Sequence, residues 1–107
     1  MLGRRVVITG MGILSPVGNT VEEAWQNIRE GKSGIDYIQN WDASALEVKI
    51  AGEVRNFDPT EKFGRREARR MDHITHLALA ATEQAMQDSA LEVNDENRYD
   101  IGVLIGT

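Results

Sequence analysis

Residues 4 to 19 read RRVVITGMGILSPVGN, a β-branched run followed by a glycine pair and a proline-glycine loop. Val6-Val7-Ile8 predicts a buried strand, because branched apolar side chains suit the pleated surface of a sheet. Thr9-Gly10-Met11-Gly12 predicts a tight turn at its end, and Ser15-Pro16-Val17-Gly18-Asn19 a loop. That succession belongs to an α/β protein. The far end carries a second strand-like run, Asp100-Ile-Gly-Val-Leu-Ile-Gly-Thr107, so the chain reads as the front portion of a larger fold.

Between these ends the pattern turns helical. Thr20 and Glu23 have the spacing of a capping box, in which hydroxyl and carboxylate serve free amides of the first turn. Val21, Ala24, Trp25 and Ile28 follow as an apolar stripe, and the helix is expected to run towards Gly31. Residues 35 to 46 read as a connector with small regular pieces, and Lys49 to Val54 as a short strand. Asp58-Pro59-Thr60-Glu61 predicts another helix start, with Asp58 as its cap. Asp72 is expected to cap a second long helix, in which Ile74, Leu77, Ala78, Ala81 and Ala85 recur at helical spacing, ending near Asp88 to Leu91. Asn94 to Tyr99 is a polar connection. The order β, α, short β, α, β suits strands flanked by crossover helices. No repeat, low-complexity tract or linker divides the chain, and residues 1–107 read as one unit.

Composition narrows the chemistry. A chain of 107 residues folding as one compact domain would bury about two-thirds of its unfolded surface. It has no cysteine, hence no disulfide, thiolate metal site or thiol nucleophile of its own. A net charge of -5 argues against general nucleic-acid binding. No apolar run approaches the roughly 20 residues that span a bilayer, and Met-Leu-Gly-Arg-Arg opens no cleavable signal, so a cytoplasmic protein without membrane attachment is the expectation.

Four groups of residues invite functional readings. Gly10 and Gly12 after a strand suggest a dinucleotide fingerprint, but Ser15-Pro16 stands where the pattern continues with glycine or alanine, and the glycines are read as supporting a structural turn and close packing. Lys62, Arg65, Arg66, Arg69 and Arg70 form a basic segment only partly offset by Glu67, with Arg65/Arg69 and Arg66/Arg70 as helical neighbours. It suits either a phosphate or acidic protein face, or a solvated surface with internal ion pairs. His73 and His76 have helical spacing but no third ligand nearby, and are read as capping or packing groups rather than metal ligands. Trp25 and Trp41 are read as packing anchors.

The blocks RRVVITGMGILSPVGNT at 4 to 20, GKSGI at 31 to 35, AGEVRNFDP at 51 to 59, RREARRMD at 65 to 72, AMQDSALEV at 85 to 93 and the closing IGVLIGT together resemble the amino-terminal part of the β-ketoacyl-acyl carrier protein synthases, closest to the type II elongating condensing enzymes of bacterial fatty-acid synthesis. The resemblance covers essentially the whole chain. It implies a thiolase-like layered α/β fold, with only the early part of the first half present, in an acyltransferase that works as a homodimer. It further implies a decarboxylative Claisen condensation of malonyl-acyl carrier protein with an acyl thioester, using a cysteine and two histidines that all lie beyond residues 1–107. No catalytic residue, cofactor or metal is therefore assigned to this chain, and substrates arrive on the phosphopantetheine arm of the carrier. Arg66, Arg69 and Arg70 match the basic positions that meet the acidic face of acyl carrier protein, with Arg65 and Lys62 as weaker additions. The alternatives are a polyketide ketosynthase, a nicotinamide-dependent reductase, or a noncatalytic carrier-binding or assembly module.

Overall fold

A computed structural model describes residues 3–106; Met1, Leu2 and Thr107 lie outside the described residues. Among the described residues four helices and a two-stranded ribbon follow in the order α1 (Val21–Arg29), β1 (Ile35–Tyr37), β2 (Ile50–Gly52), α2 (Pro59–Phe63), α3 (Arg65–Ala68) and α4 (His73–Ser89).

The helix starts form as their caps dictate. Thr20 Oγ1 accepts from the Glu23 amide at 3.2 Å, and Glu23 reaches back to the Asn19 amide at 2.8 Å, one residue earlier than a strict capping box. Helix α1 stops where Gly31 takes a left-handed φ of 69°. The Gly31 amide then donates to the Ile28 carbonyl and the Lys32 amide to that of Asn27, which satisfies the free end of the helix. Asp58 caps α2 through the Thr60 amide, with Pro59 supplying the first helical φ. Asp72 caps α4 through both the amide and the hydroxyl of Thr75, at 2.9 and 2.6 Å.

Strands β1 and β2 pair antiparallel, Ile35 opposite Gly52 and Tyr37 opposite Ile50. The ribbon packs against the turn at Ser15 to Gly18, whose ends exchange backbone hydrogen bonds of 3.0 and 3.2 Å around Pro16-Val17. The Pro16 ring fits between Gly34 and Gly52, since a Cβ at either glycine would meet it at 2.7 or 2.9 Å. Asn19 Nδ2 donates to the Arg55 carbonyl at 2.5 Å, and Arg55 pairs with Asp36 at 3.1 Å, so the loop, the ribbon and the segment after β2 are joined.

The glycine pair meets the close-packing half of the sequence expectation but not the turn. Gly10 and Gly12 have no left-handed φ and make no turn; they let the chain lie directly on α4. A Cβ on Gly10 would strike the Ala85 carbonyl, and one on Gly12 the Ala81 carbonyl. The amides between and beyond them are met by α4 side chains: Met11 N donates to Asp88 at 2.9 Å and Ile13 N to Gln84 at 3.1 Å. Gln84 also donates to the Asn19 carbonyl at 2.8 Å, so one side chain holds both ends of the loop.

Two strand expectations fail among the described residues. Neither Val6-Val7-Ile8 nor residues 100–106 belongs to a ladder; Val6 is 91% exposed and Leu104 97%. A strand needs a neighbour to accept its hydrogen bonds, and no described segment supplies one here. Likewise Trp25, Ile28 and Trp41, expected as packing residues, are more than half exposed, although Ala24 on the same stripe is buried. Among the described residues the buried apolar side chains are all alanines: Ala24, Ala43, Ala68 and Ala80. The accessible surface of 9184 Å² exceeds the ~5,900 Å² expected of a compact protein of this mass. The radius of gyration, 17.4 Å, likewise exceeds the ~13 Å of a compact chain this long. The expected two-thirds burial is not reached, because helices and ribbon hold to one another through backbone approach and polar ties rather than through a filled core.

Candidate functional site

The basic segment sits on a bent pair of short helices. Gly64 takes φ 80°, a left-handed conformation that a side chain would resist, and ends α2 while starting α3. The helix expected through Arg70 is one turn long: α3 ends at Ala68, Arg69 caps it, and Arg70 lies in the turn leading to α4. Arg65/Arg69 are still one helical turn apart, joined by a 3.4 Å backbone bond, whereas Arg66/Arg70 are not helical neighbours; the Arg70 amide bonds the Glu67 carbonyl instead.

The four arginines are exposed, and they differ in partners. Arg70 lies 3.6 Å from the Glu67 carboxylate, a loose pair in open solvent. Lys62 is engaged with Glu83 of α4, an ion pair that joins α2 to the long helix and removes Lys62 from the free charge. Arg65, Arg66 and Arg69 have no carboxylate within salt-bridge reach among the described residues. A guanidinium stays charged at any ordinary pH, so three uncompensated cations face outward from one turn. Of the two sequence readings, internal ion pairing therefore accounts for only part of the segment.

Beneath this turn lies His76, with the exposed His73 beside it. Their rings meet edge to face at 6.5 Å, and His76 stacks on Phe63 at 6.0 Å and 22°. His76 is 8% exposed, and its Nε2 bonds the Ala68 carbonyl at 2.9 Å. Among the described residues no group of three histidine, cysteine or carboxylate side chains is gathered for a metal. At the entry to α4, the hydroxyl and amide of Thr75 hold the Asp72 carboxyl below its ordinary range. In the ribbon, the Tyr37 amide and then the Arg55 guanidinium do the same for Asp36.

Sequence reasoning located the basic residues but missed what fixes them. The His76 bond to Ala68, the Lys62 pair with Glu83 and the Gln84 and Asp88 clasp on residues 11 to 19 all join positions distant in sequence, and no local motif signals them.

Residues 3–107 match the family described as "Beta-ketoacyl synthase, N-terminal domain". The chain is 49% identical over 107 residues to a 3-oxoacyl-[acyl-carrier-protein] synthase 2 of Vibrio harveyi, covering 100% of this chain and 26% of that protein. It is 46% identical over 104 residues to the protein of the same name from Synechocystis sp., covering 97% of this chain and 25% of the relative. The chain thus spans about a quarter of the length of these curated relatives. Among solved structures it is similar to "The ishigamide ketosynthase/chain length factor", with a TM-score of 0.74 and 34% identity, covering 83% of this chain and 22% of that one. The thiolase-like layered α/β class expected from the sequence is borne out by that likeness, with only an early portion of the fold present. The chain belongs to the β-ketoacyl synthase family, and the part of the family it matches is the N-terminal domain.

Proposed function

We propose that this chain is the amino-terminal part of a β-ketoacyl-acyl carrier protein synthase of fatty-acid elongation, and that its own contribution is to dock the carrier. In that reaction an acyl group is held as a thioester on an enzyme cysteine. Loss of carbon dioxide from malonyl-carrier yields a carbanion, which attacks the acyl carbonyl, expels the thiolate and leaves a β-ketoacyl-carrier. No residue described here supplies the nucleophile, and the catalytic groups belong to the remainder of the synthase.

One observation carries the docking role: Arg65, Arg66 and Arg69 point outward without carboxylate partners, beside a weakly paired Arg70. A cluster of uncompensated guanidiniums raises the encounter rate with an acidic protein and orients it, and each can take a carboxylate or phosphate in a forked pair. Arg66, Arg69 and Arg70 are the docking residues in this reading. The intact synthase is a homodimer working on carrier-borne substrates in the cytoplasm, without cofactor or metal, and its remaining parts cover the open apolar faces.

The reductase alternative is disfavoured by the glycine segment. The Met11 and Ile13 amides are occupied by Asp88 and Gln84, and Gly10 and Gly12 are pressed on α4, leaving no cradle for a pyrophosphate. The test is condensation from defined acyl-carrier and malonyl-carrier substrates, comparing the isolated chain with the intact protein. Product from the intact protein alone supports the proposal. Turnover by the purified chain, or no product from either, removes it.

A further inference from the structure

We propose that His76 is a positioning residue for the carrier-docking arginines, acting through the carbonyl of Ala68. The inference rests on the reading of the basic segment as the docking surface, and it adds a determinant of carrier recognition that makes no contact with the carrier.

Helix α3 is one turn long and contributes a single buried side chain, Ala68, so little apolar packing holds it in place. The last carbonyls of a helix lack intrahelical donors. The Ala68 carbonyl receives His76 Nε2 at 2.9 Å instead. A carbonyl only accepts, so Nε2 carries the hydrogen in this contact.

The bond joins residues eight apart and closes a loop containing Arg69 and Arg70, with Asp72 capping α4 on its far side. The imidazole is itself fixed: Phe63 of α2 stacks on one side, His73 meets it edge-on, and α4 carries it. α2, α3 and α4 thus converge on one ring, and the directions in which Arg66, Arg69 and Arg70 leave the backbone follow from it. Without the bond, the four-residue helix keeps its charges and loses its fixed orientation. The electrostatic attraction survives and the docking geometry does not.

The experiment uses the intact synthase. H76F retains a ring against Phe63 and removes the donor, H76M removes both ring and donor, and H76Q restores an N–H donor on an unbranched side chain. Each is measured with carrier-borne and small-thioester acyl donors, beside the R66A/R69A/R70A variant. Loss of one hydrogen bond predicts a rise of about threefold or more in KM for the carrier-borne substrate in H76F and H76M, with kcat and small-thioester KM unchanged and H76Q near the parent. In the R66A/R69A/R70A background, adding H76F should have no further effect.

Unchanged carrier KM in H76F and H76M, an equal rise for both substrates, or no recovery in H76Q would overturn the role of His76 while leaving carrier docking standing. If the arginine variant itself fails to separate the two substrates, the docking reading falls and the inference falls with it. Should H76F prove insoluble, H76M and H76Q decide the question on the same criteria.

Discussion

Asp88 accepts the amide hydrogen of Met11 at 2.9 Å, although 77 residues separate them in the chain. With Gln84 one turn earlier on α4, it gives the opening segment the acceptors that a neighbouring strand would otherwise provide. D88A should therefore destabilise the intact protein by ~1 kcal/mol, the net worth of a typical hydrogen bond, with little effect on carrier KM. Urea unfolding measures the first and initial rates the second; an unchanged midpoint would mean that solvent replaces the bond at no cost.

Backbone approach predicts a larger effect at Gly12. G12A drives a methyl group into the Ala81 carbonyl and the Gln84 side chain, and backbone atoms on a helix cannot swing aside. A loss of ~1–3 kcal/mol is expected, the usual cost of overpacking. G3A, with open space around the new Cβ, should be neutral and serves as the control.

Lys62 and the arginines should separate in their effects. Because Lys62 is held by Glu83, K62A should lower the melting temperature and leave carrier KM almost unchanged. R66A/R69A/R70A should raise carrier KM and flatten its dependence on salt, since exposed charges act through a screened field. Loss of carrier affinity in K62A equal to that in the triple variant would show that the ion pair opens during docking.

Asp72 adds a pH dependence of known sign. Its carboxyl lies below the ordinary value of 3.8, held there first by the Thr75 hydroxyl and then by the Thr75 amide. A depressed folded value means that the cap's stabilisation is fully present above the unfolded value near 3.8 and disappears as pH falls through the lower folded value. D72N keeps a capping oxygen without a titrating proton. Acid unfolding followed by circular dichroism should show a shallower pH slope below about 4 in D72N, with stability near pH 7 almost unchanged. An identical slope would assign the acid sensitivity elsewhere.

The described residues bury no apolar side chain larger than alanine, which predicts the behaviour of the chain by itself. Val6, Trp25, Leu104 and their neighbours should bind a hydrophobic dye strongly, and unfolding should be broad rather than cooperative. A sharp calorimetric transition for residues 1–107 alone would contradict this.

What was legible in the sequence divides along physical lines. Caps depend on a few adjacent residues, so Thr20, Asp58 and Asp72 were readable, as were the two larger helices they start. The apolar runs at Val6 and Val103 announce an affinity for burial, but a pattern within one segment does not name its neighbour, and no described segment pairs with either. Gly10 and Gly12 were read as a turn with close packing; the packing is found and the turn is not, and the packing partners, Ala81 and Ala85, lie some seventy residues away where no local pattern names them. At the basic segment, composition located the charges, whereas their division into paired Lys62 and unpaired Arg66 and Arg69 required the position of α4. His76 was recognised as a packing residue, but its donor role needed the end of α3 to be in place.

Pro16 sits where two absent side chains would otherwise be, its ring lying against Gly34 on one side and Gly52 on the other. The three positions therefore share one volume and are not free to drift separately. A methyl at 52 is admissible only in a chain that has given up the ring at 16, whereas one at 34 also meets the backbone carbonyl of residue 16 and requires the loop itself to move; losing the ring alone opens a void between loop and ribbon. Sequence change here is expected to be compensatory, with the loop and the hairpin inherited as a matched pair.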